Sequence, residues 1–262
     1  MISANKGILT IAIGKKYVKQ AKYLAYSCML NSPHTLRAVI TDSSELLNNF
    51  YDIIIPFTDS DDPFSLKTRL YNFTPFFKTL YLDADSLVFH PVDDFWNYLD
   101  EKSYIYEGKK LISDNWYFDI KETCNKLSIS WIPKFNSGMM LFCKNNIVKD
   151  IFDTAYYYFT NNQKENINIL PIYKNNYPDE PFLAISLAKN DIEPIDDYSR
   201  FSRTLINTRL IRLNIIKKVA YFIKDDIIRH PLIVHFCGRK GALFYFKEKL
   251  RLYIRFFPHP LL

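Results

Sequence analysis

The chain contains 262 residues, of which 48% are hydrophobic and 24% are charged, so it can bury a large core and is not a disordered protein. Its net charge of +6 is unevenly distributed. Residues 200–262 carry 14 Lys or Arg against 3 Asp or Glu, a net +11, whereas residues 1–199 carry 20 against 25, a net −5. Such segregation predicts a basic surface that faces an anionic partner.

The first half of the sequence predicts alternating strands and helices. Short apolar runs bounded by polar residues predict strands at residues 8–14, 36–42, 51–57 and 78–89. Apolar residues at helical spacing predict a helix over residues 17–30, and a second helix over residues 66–77 that Pro75 ends or kinks. This alternation is typical of a parallel, doubly wound sheet and predicts an α/β fold.

The second half is less regular. Residues 134–142 predict a strand that begins at a tight turn, residues 179–188 a helix with Pro181 in its first turn, and residues 232–238 a late strand. Residues 156–178 predict the end of a helix and a long loop. We therefore predict one α/β domain with a basic helical extension at its C-terminus.

Four widely spaced cysteines exclude a disulfide framework and a zinc site: Cys28, Cys124, Cys143 and Cys237. The sequence shows no signal-peptide pattern, and no segment of about 18 uncharged apolar residues. These features predict a cytoplasmic protein without a membrane span.

Two carboxylates interrupt the apolar segment 79–89. In an extended strand, Asp83 and Asp85 share one face and Ala84 points to the other. If the strand ends there, both carboxylates lie at the carboxyl edge of the sheet, where open α/β folds bind ligands. Because the two charges repel each other, a divalent cation with oxygen ligands is the predicted partner. The alternative is that one aspartate caps a turn and the other meets a lysine.

A similar D-x-D string occurs in haloacid dehalogenase-type phosphatases. There the first aspartate is a nucleophile and the second an acid or base, with Mg²⁺ beneath them. In that family the motif lies near the start of the domain, whereas here it lies behind an apparent β-α-β unit and continues with Leu87 after Ser86. A phosphatase remains the alternative enzyme class.

Six segments follow one another in a recognisable order: LTIAIGKKYVKQA, FSLKTRL, KTLYLDADSLV, FNSGMMLF, DEPFLAI and VHFCGRKG. This combination resembles glycosyltransferase family 8, the family of glycogenin and bacterial lipopolysaccharide galactosyltransferases, over about residues 8–240. The resemblance implies a GT-A-type fold, a Rossmann-like mixed sheet flanked by helices, over residues 1–240. Residues 241–262 would form the basic, aromatic extension.

The resemblance also implies a site. Asp83 and Asp85 would hold Mn²⁺ or Mg²⁺ against the donor diphosphate, and His235 would complete the metal site. The implied donor-binding residues are Ile11, Ile13, Tyr17, Lys67, Asp83, Ala84, Asp85, Asn136, Ser137, Gly238, Arg239 and Lys240. By residue type alone, His235 could be a core residue, Tyr17 and Lys67 ordinary helix residues, and the Asn-Ser-Gly segment a β-turn.

Two departures from the family pattern matter. The family has an acidic residue followed by glutamine near the anomeric carbon, whereas here Glu180 follows Asp179; this pair is the implied catalytic pair. Glutamine favours a front-face retaining mechanism, while Glu180 could form a covalent glycosyl intermediate, or the pair could cap a helix. The family also continues H-F-x-G-x-x-K-P-W, but Lys240 lies only two residues after Gly238. Arg239 and Lys240 are therefore equal candidates for the cation that contacts the donor diphosphate.

The basic tail contains two amphipathic patterns. Residues 203–224 place apolar residues on one face of a predicted helix: Ile206, Leu210, Leu213, Ile216 and Ala220. Residues 244–257 mix aromatic with basic residues. Both predict contact with an anionic membrane surface, the alternative being helices packed on the domain with snorkelled charges. Nucleic acid is not expected, because no nucleic-acid motif accompanies the charge.

Together these features predict a metal-dependent, retaining hexosyltransferase. It would move a hexose from a nucleotide sugar, a UDP-hexose, to a saccharide or glycolipid acceptor such as a lipopolysaccharide or capsule precursor. Its predicted location is cytoplasmic and peripheral on the cytosolic face of the membrane. The remaining alternative is a non-catalytic protein that binds nucleotide sugars.

Overall fold

The computed structural model describes residues 4–58, 63–170, 177–195 and 200–257. Its strands are β1 (Ala4–Ala12), β2 (Leu36–Thr41), β3 (Ile53–Pro56), β4 (Phe76–Leu82), β5 (Ser86–Val88), β6 (Tyr104–Ile105), β7 (Gly108–Leu111), β8 (Ile132–Phe135), β9 (Met139–Cys143), β10 (Ser202–Thr204), β11 (Thr208–Asn214), β12 (Val219–Lys224), β13 (Ile227–Arg229) and β14 (Ile233–His235). Its helices are α1 (Lys15–Asn31), α2 (Pro63–Lys67), α3 (Leu70–Phe73), α4 (Phe95–Tyr98), α5 (Ile120–Leu127), α6 (Asn146–Asn161), α7 (Glu180–Lys189) and α8 (Gly238–Phe256).

A mixed, mainly parallel sheet forms the centre of the molecule. Its described strands lie in the order β3-β2-β1-β4-β9-β6. The pairings from β3 to β4 are parallel, and β9 is antiparallel to both β4 and β6. Helix α1 connects the parallel strands β1 and β2, as parallel neighbours require a crossover. The predicted α/β class with a Rossmann-like mixed sheet is confirmed.

Both faces of this sheet are covered. On β4, Tyr81 belongs to one buried apolar cluster and the adjacent Leu80 to another. Leu9 and Ile8 on β1 divide in the same way. Because alternate side chains enter opposite cores, the central strands are continuously apolar rather than alternating, which is the pattern read from the sequence.

Two predicted elements around the D-x-D motif are wrong in their bounds. The predicted helix over residues 66–77 is replaced by the short helices α2 and α3, and β4 begins at Phe76, directly after Pro75. The single strand predicted over residues 78–89 divides into β4 and β5. The break is a turn in which the Ser86 N–H donates to the Asp83 carbonyl at 2.9 Å.

The helix predicted over residues 203–224 is also wrong. This segment forms β10, β11 and β12, and β12 pairs on both sides, with β11 and with β13. Asn214 accepts a hydrogen bond from the Lys217 N–H at 3.1 Å in the turn between β11 and β12, and Lys218 has φ 54° there. These turn contacts and two-sided pairing override the helical spacing of the apolar residues.

The other predicted elements are present, with different bounds. Helix α7 lies where the sequence predicts it, and β14 occupies the middle of the strand predicted over residues 232–238. The strand predicted over residues 134–142 is divided by the Asn136–Gly138 turn, with β8 ending before the turn and β9 beginning directly after it. The helix predicted to end within residues 156–178 is α6, which ends at Asn161, and residues 171–176 of the predicted loop lie outside the described residues. Among the described residues, no helix is both long enough and apolar enough to cross a membrane.

Candidate metal and donor site

Three potential metal ligands converge at one edge of the central sheet. One ligand atom each from Asp83, Asp85 and His235 lies within 4.8 Å of the others. The His235 Nε2 atom is 3.0 Å from Asp85 Oδ1 and 3.7 Å from Asp83 Oδ2. Two carboxylates and one imidazole are a suitable ligand set for Mn²⁺, and the oxygen ligands also suit Mg²⁺.

Backbone pairing brings these residues together. Asp83 and Asp85 lie in the turn between β4 and β5, and β5 pairs with β14 so that Ser86 is opposite His235. The Asp83 N–H donates to the Gly138 carbonyl at 2.9 Å, and the Phe236 N–H donates to the Asp85 carbonyl at 3.0 Å. Backbone hydrogen bonds on both sides of the turn between β4 and β5 therefore fix the positions of the three ligands.

The orientation of the His235 ring depends on the Asn136–Gly138 turn. Its Nδ1 atom lies 2.8 Å from Asn136 Oδ1, which can only accept, so Nδ1 donates and Nε2 points to the carboxylates. A Cβ atom at Gly138 would lie 2.5 Å from the ring atoms Cε1 and Nδ1. Glycine is therefore required at position 138 for the imidazole to occupy this position.

Charge stabilises the cluster before any metal binds. Burial lowers the pKa of His235, but the hydrogen bond and charge of Asp85, together with Asp83, raise it more, so its pKa lies above the ordinary value. Burial raises the pKa of Asp85, but His235 and then Lys67 lower it below the usual value. Metal binding at Nε2 would require His235 to lose this proton.

Lys67 joins the metal cluster to a second group of carboxylates. Its Nζ atom lies 2.8 Å from Asp83 Oδ1 and 3.6 Å from Asp179 Oδ1, and it donates to Ser137 Oγ at 3.3 Å. Burial lowers the pKa of Lys67, but the charges of Asp179 and Asp83 raise it well above the ordinary value. The side chain is 13% exposed, so Lys67 is not the solvated helix residue that its charge alone allowed.

Glu180 reaches across to the same turn rather than capping α7. Its Oε1 atom accepts from Asn136 Nδ2 at 2.8 Å and from the Ser137 N–H at 3.1 Å, and its Oε2 atom accepts from the Tyr117 hydroxyl at 2.6 Å. Asp179 occupies the N-cap position without a side-chain capping bond. Asp179 is only 3% exposed, and its Oδ2 atom has no hydrogen-bond partner among the described residues.

The predicted nucleobase residues lie at the end of β1 and the start of α1. Ile11 and Ile13 are partly buried against the core, and Tyr17 is 44% exposed in the first turn of α1. The Ala84 side chain is buried beside residues of α1, including Val18. Tyr17 is thus accessible to a ligand, and Ala84 could contact one only through its backbone.

The segment after His235 begins α8. Gly238 has φ 77°, a conformation that favours glycine, and Arg239 is exposed. The Lys240 ammonium donates to the Thr208 carbonyl. This contact joins Lys240 to the first residue of β11, and Arg239 and Lys240 are both exposed.

Two residues of the site were not predicted from the sequence. The buried Tyr81 donates its hydroxyl to Asp83 Oδ1 at 2.7 Å, and Tyr117 donates to Glu180. Tyr81 precedes Asp83 by two residues, and the two-residue period of a strand could have indicated a shared face. Tyr117 has no such signal, because it meets Glu180 only through the tertiary fold.

Comparisons with known proteins bear on the fold. A crystal structure of the galactosyltransferase LgtC in complex with donor and acceptor sugar analogues aligns over 97% of this chain and 97% of that chain, with 16% identity and a TM-score of 0.63. An active-site mutant of LgtC, glutamine to glutamate, aligns over 94% of each chain, with 17% identity and a TM-score of 0.61. No protein-family profile and no curated protein sequence matches the chain. The chain therefore has the GT-A fold of LgtC.

Proposed function

We propose that this protein is a metal-dependent glycosyltransferase that moves a hexose from a UDP-sugar to a saccharide or glycolipid hydroxyl with retention of configuration. The observation that carries the proposal is the convergence of Asp83, Asp85 and His235 at the sheet edge of a GT-A fold. The structurally similar LgtC was crystallised with donor and acceptor sugar analogues, which supports a sugar donor and a sugar acceptor as the ligands of this protein.

The residues at this edge fit a bound Mn²⁺ or Mg²⁺. Asp83, Asp85 and the Nε2 atom of His235 would hold the ion, and Asn136 would keep the ring in its ligating orientation. When bound, the ion would offset the negative charge of the nucleotide diphosphate as it leaves. Arg239, exposed in the first turn of α8, would add a second positive charge.

The second carboxylate group would bind the donor sugar. Asp179 Oδ2 is a buried acceptor without a described partner, so a sugar hydroxyl would satisfy it. Lys67 contacts both Asp83 and Asp179, and its positive charge would hold the two carboxylates in place. Tyr17, exposed at the start of α1, would stack on uracil, and the partly buried Ile11 and Ile13 would contact the nucleobase from the end of β1.

The donors around Glu180 favour a role in orientation over one as a nucleophile. Both of its oxygens already accept hydrogen bonds, from Asn136, Ser137 and Tyr117. Hydrogen bonds to a carboxylate lower its nucleophilicity by stabilising its charge. Glu180 would therefore position the Asn136–Ser137 turn beside the sugar, as a glutamine could.

A UDP-release assay over a panel of UDP-sugars tests the proposed function. We expect release that requires Mn²⁺ or Mg²⁺ and is abolished by a chelator, with one sugar preferred. The two alternatives predict other outcomes. A phosphatase would release phosphate from simple phosphate esters without a sugar donor, and a binding protein would bind UDP-sugar, measured by calorimetry, without turnover.

Substitution Glu180→Gln is expected to retain measurable transfer. Glutamine keeps an acceptor oxygen for Asn136 and Ser137, and its amide can donate to the Tyr117 hydroxyl oxygen. The exposed Glu101→Gln serves as the matched control. Loss of UDP release with unchanged donor affinity and thermal stability would instead identify Glu180 as a nucleophile.

The same variant changes the pH dependence of stability. Burial, and then the charge of Asp179, raise the pKa of Glu180. Between the pKa of an unfolded glutamate, about 4.3, and the higher pKa of Glu180 in the folded protein, the folded state holds a proton that the unfolded chain has released. The free energy of unfolding therefore falls as the pH rises through this range. Urea denaturation in chelator should show a flatter dependence for Glu180→Gln than for the wild type.

A further inference from the structure

The buried Tyr81 contacts the first candidate metal ligand and the counterion of that ligand. Tyr81 is 1% exposed, and its hydroxyl oxygen lies 2.7 Å from Asp83 Oδ1. Because an ionised carboxylate can only accept, the hydroxyl donates this hydrogen bond. The Lys67 ammonium lies 5.6 Å from the centre of the Tyr81 ring, within the range of a cation–π contact. One side chain therefore contacts both members of the Lys67–Asp83 ion pair.

The backbone of β4 fixes the position of Tyr81. It pairs on both sides there, with Leu9 of β1 and Met140 of β9 opposite Tyr81. Residues two apart in a strand share a face, so the hydroxyl reaches Asp83 just beyond the end of β4. A hydroxyl on a buried ring in a central strand has little freedom to move, and it therefore fixes the orientation of the carboxylate to which it donates.

The two carboxylate oxygens of Asp83 have different surroundings. Oδ1 accepts from the Tyr81 hydroxyl and lies 2.8 Å from the Lys67 Nζ atom. Oδ2 accepts from Lys67 at 3.0 Å and lies 3.7 Å from the Nε2 atom of His235. Tyr81 therefore binds the oxygen Oδ1, and the oxygen that faces the histidine ligand is Oδ2.

We infer that Tyr81 is a positioning residue that restricts Asp83 to metal binding through Oδ2, so that the site favours Mn²⁺ and Mg²⁺ over Ca²⁺. The inference rests on the metal site of the proposed function and adds a determinant of ion selectivity to it. For Asp83 to bind an ion through both oxygens, Oδ1 would have to give up the Tyr81 hydroxyl, and the buried hydroxyl would lose its acceptor.

The number of available carboxylate oxygens affects these ions differently. Ca²⁺ takes more oxygen ligands than Mg²⁺ and often binds both oxygens of one carboxylate, whereas Mg²⁺ requires near-ideal octahedral geometry. A site in which one oxygen of Asp83 is held by Tyr81 therefore lacks a ligand that Ca²⁺ would use. The smaller ions lose less, because a single oxygen from Asp83 suits their geometry.

Titration with Mn²⁺ followed by electron paramagnetic resonance tests the role of Tyr81. Free Mn²⁺ gives a sharp signal that is lost on binding, so the Kd for the ion is measured without any substrate. Tyr81→Phe keeps the ring and removes the hydroxyl, and we expect it to weaken Mn²⁺ binding about tenfold, because loss of a group that orients a metal ligand lowers affinity. The matched control is Tyr106→Phe, since Tyr106 is 0% exposed and donates to the Ile192 carbonyl at 2.6 Å, outside the site. It should bind Mn²⁺ like the wild type.

Ion selectivity separates positioning from a merely structural role. In competition with bound Mn²⁺, the wild type should admit Mg²⁺ more readily than Ca²⁺. In Tyr81→Phe the ratio of the Kd for Ca²⁺ to the Kd for Mn²⁺ should fall about tenfold. A general loosening of the site would weaken the binding of all three ions and leave this ratio unchanged, which would overturn the inference. Displacement of Mn²⁺ from the wild type by Ca²⁺ as readily as by Mg²⁺ would also overturn it, whether or not the variant folds.

A double-mutant cycle tests whether Tyr81 acts through Asp83. In the background of Asp83→Asn, Tyr81→Phe should lower the Mn²⁺ affinity no further, because the carboxylate that it positions is absent. An equal effect of Tyr81→Phe in both backgrounds would contradict the inference, as would wild-type Mn²⁺ affinity in Tyr81→Phe itself. Because these measurements use no sugar donor, a protein that shows this dependence on Tyr81 but releases no UDP would count against the proposed transferase alone.

Discussion

Replacement of Asp85 by asparagine is expected to lower metal-dependent UDP release at least about 100-fold while leaving the protein folded. Asparagine has the shape of aspartate but removes one of the two carboxylate charges that would hold the ion. The variant should also lose metal-induced stabilisation, which for the wild type amounts to about 2.7 kcal/mol at a metal concentration of 100 times Kd. Thermal melting with Mn²⁺ and with chelator measures this difference.

The exposed Asp93→Asn is the matched control, because it removes an aspartate charge outside the site. It should keep both UDP release and the metal-induced shift in melting temperature. A shift in Asp85→Asn equal to that of the wild type at every Mn²⁺ concentration would contradict the assignment of Asp85 as a metal ligand. In that case Asp83 and His235 would have to bind the ion with other groups.

Replacement of Lys67 by methionine is expected to destabilise the protein by about 3 to 5 kcal/mol, because it leaves buried carboxylates without their counterion. Lys67 contacts Asp83 at 2.8 Å and Asp179 at 3.6 Å, and the Asp179 side chain is only 4% exposed. Burial already raises the pKa of Asp179, and Lys67 is the main group that lowers it. Urea denaturation in chelator measures the change without interference from metal binding.

The pH dependence of the stability loss in Lys67→Met distinguishes the loss of a charge from the loss of packing. Without Lys67 the pKa of Asp179 should rise further, so the folded variant takes up a proton as the pH falls. The destabilisation should therefore be smaller at about pH 5 than at about pH 8. Lys78→Met is the control, since Lys78 pairs with Asp100, which is 65% exposed, and should cost no more than about 1 kcal/mol. A loss of stability in Lys67→Met that does not change with pH would indicate lost packing instead.

The sequence could predict the class of fold because local patterns carry it. Apolar runs and helical spacing predicted β1 to β3, α1, α7 and β14, and the central strands are apolar throughout because both faces of the sheet are covered. Residues 203–224 show the limit of such patterns. Their apolar spacing suits a helix, but pairing of β12 with β11 and β13 decides the structure, and pairing partners cannot be read from periodicity.

The candidate site divides in the same way. Asp83 and Asp85 could be recognised as metal ligands because they are the charged residues of an otherwise apolar segment, and charge in that position is expensive unless it is paired. The sequence itself therefore determined the fold class, the carboxylate pair and the chemistry that it favours. The tertiary structure alone decided the contacts over long separations, such as His235 with Asn136, 99 residues apart, and Glu180 with Tyr117, 63 residues apart. The physical reason is that hydrogen bonds and buried charges depend on distances between atoms, which only the packed chain establishes.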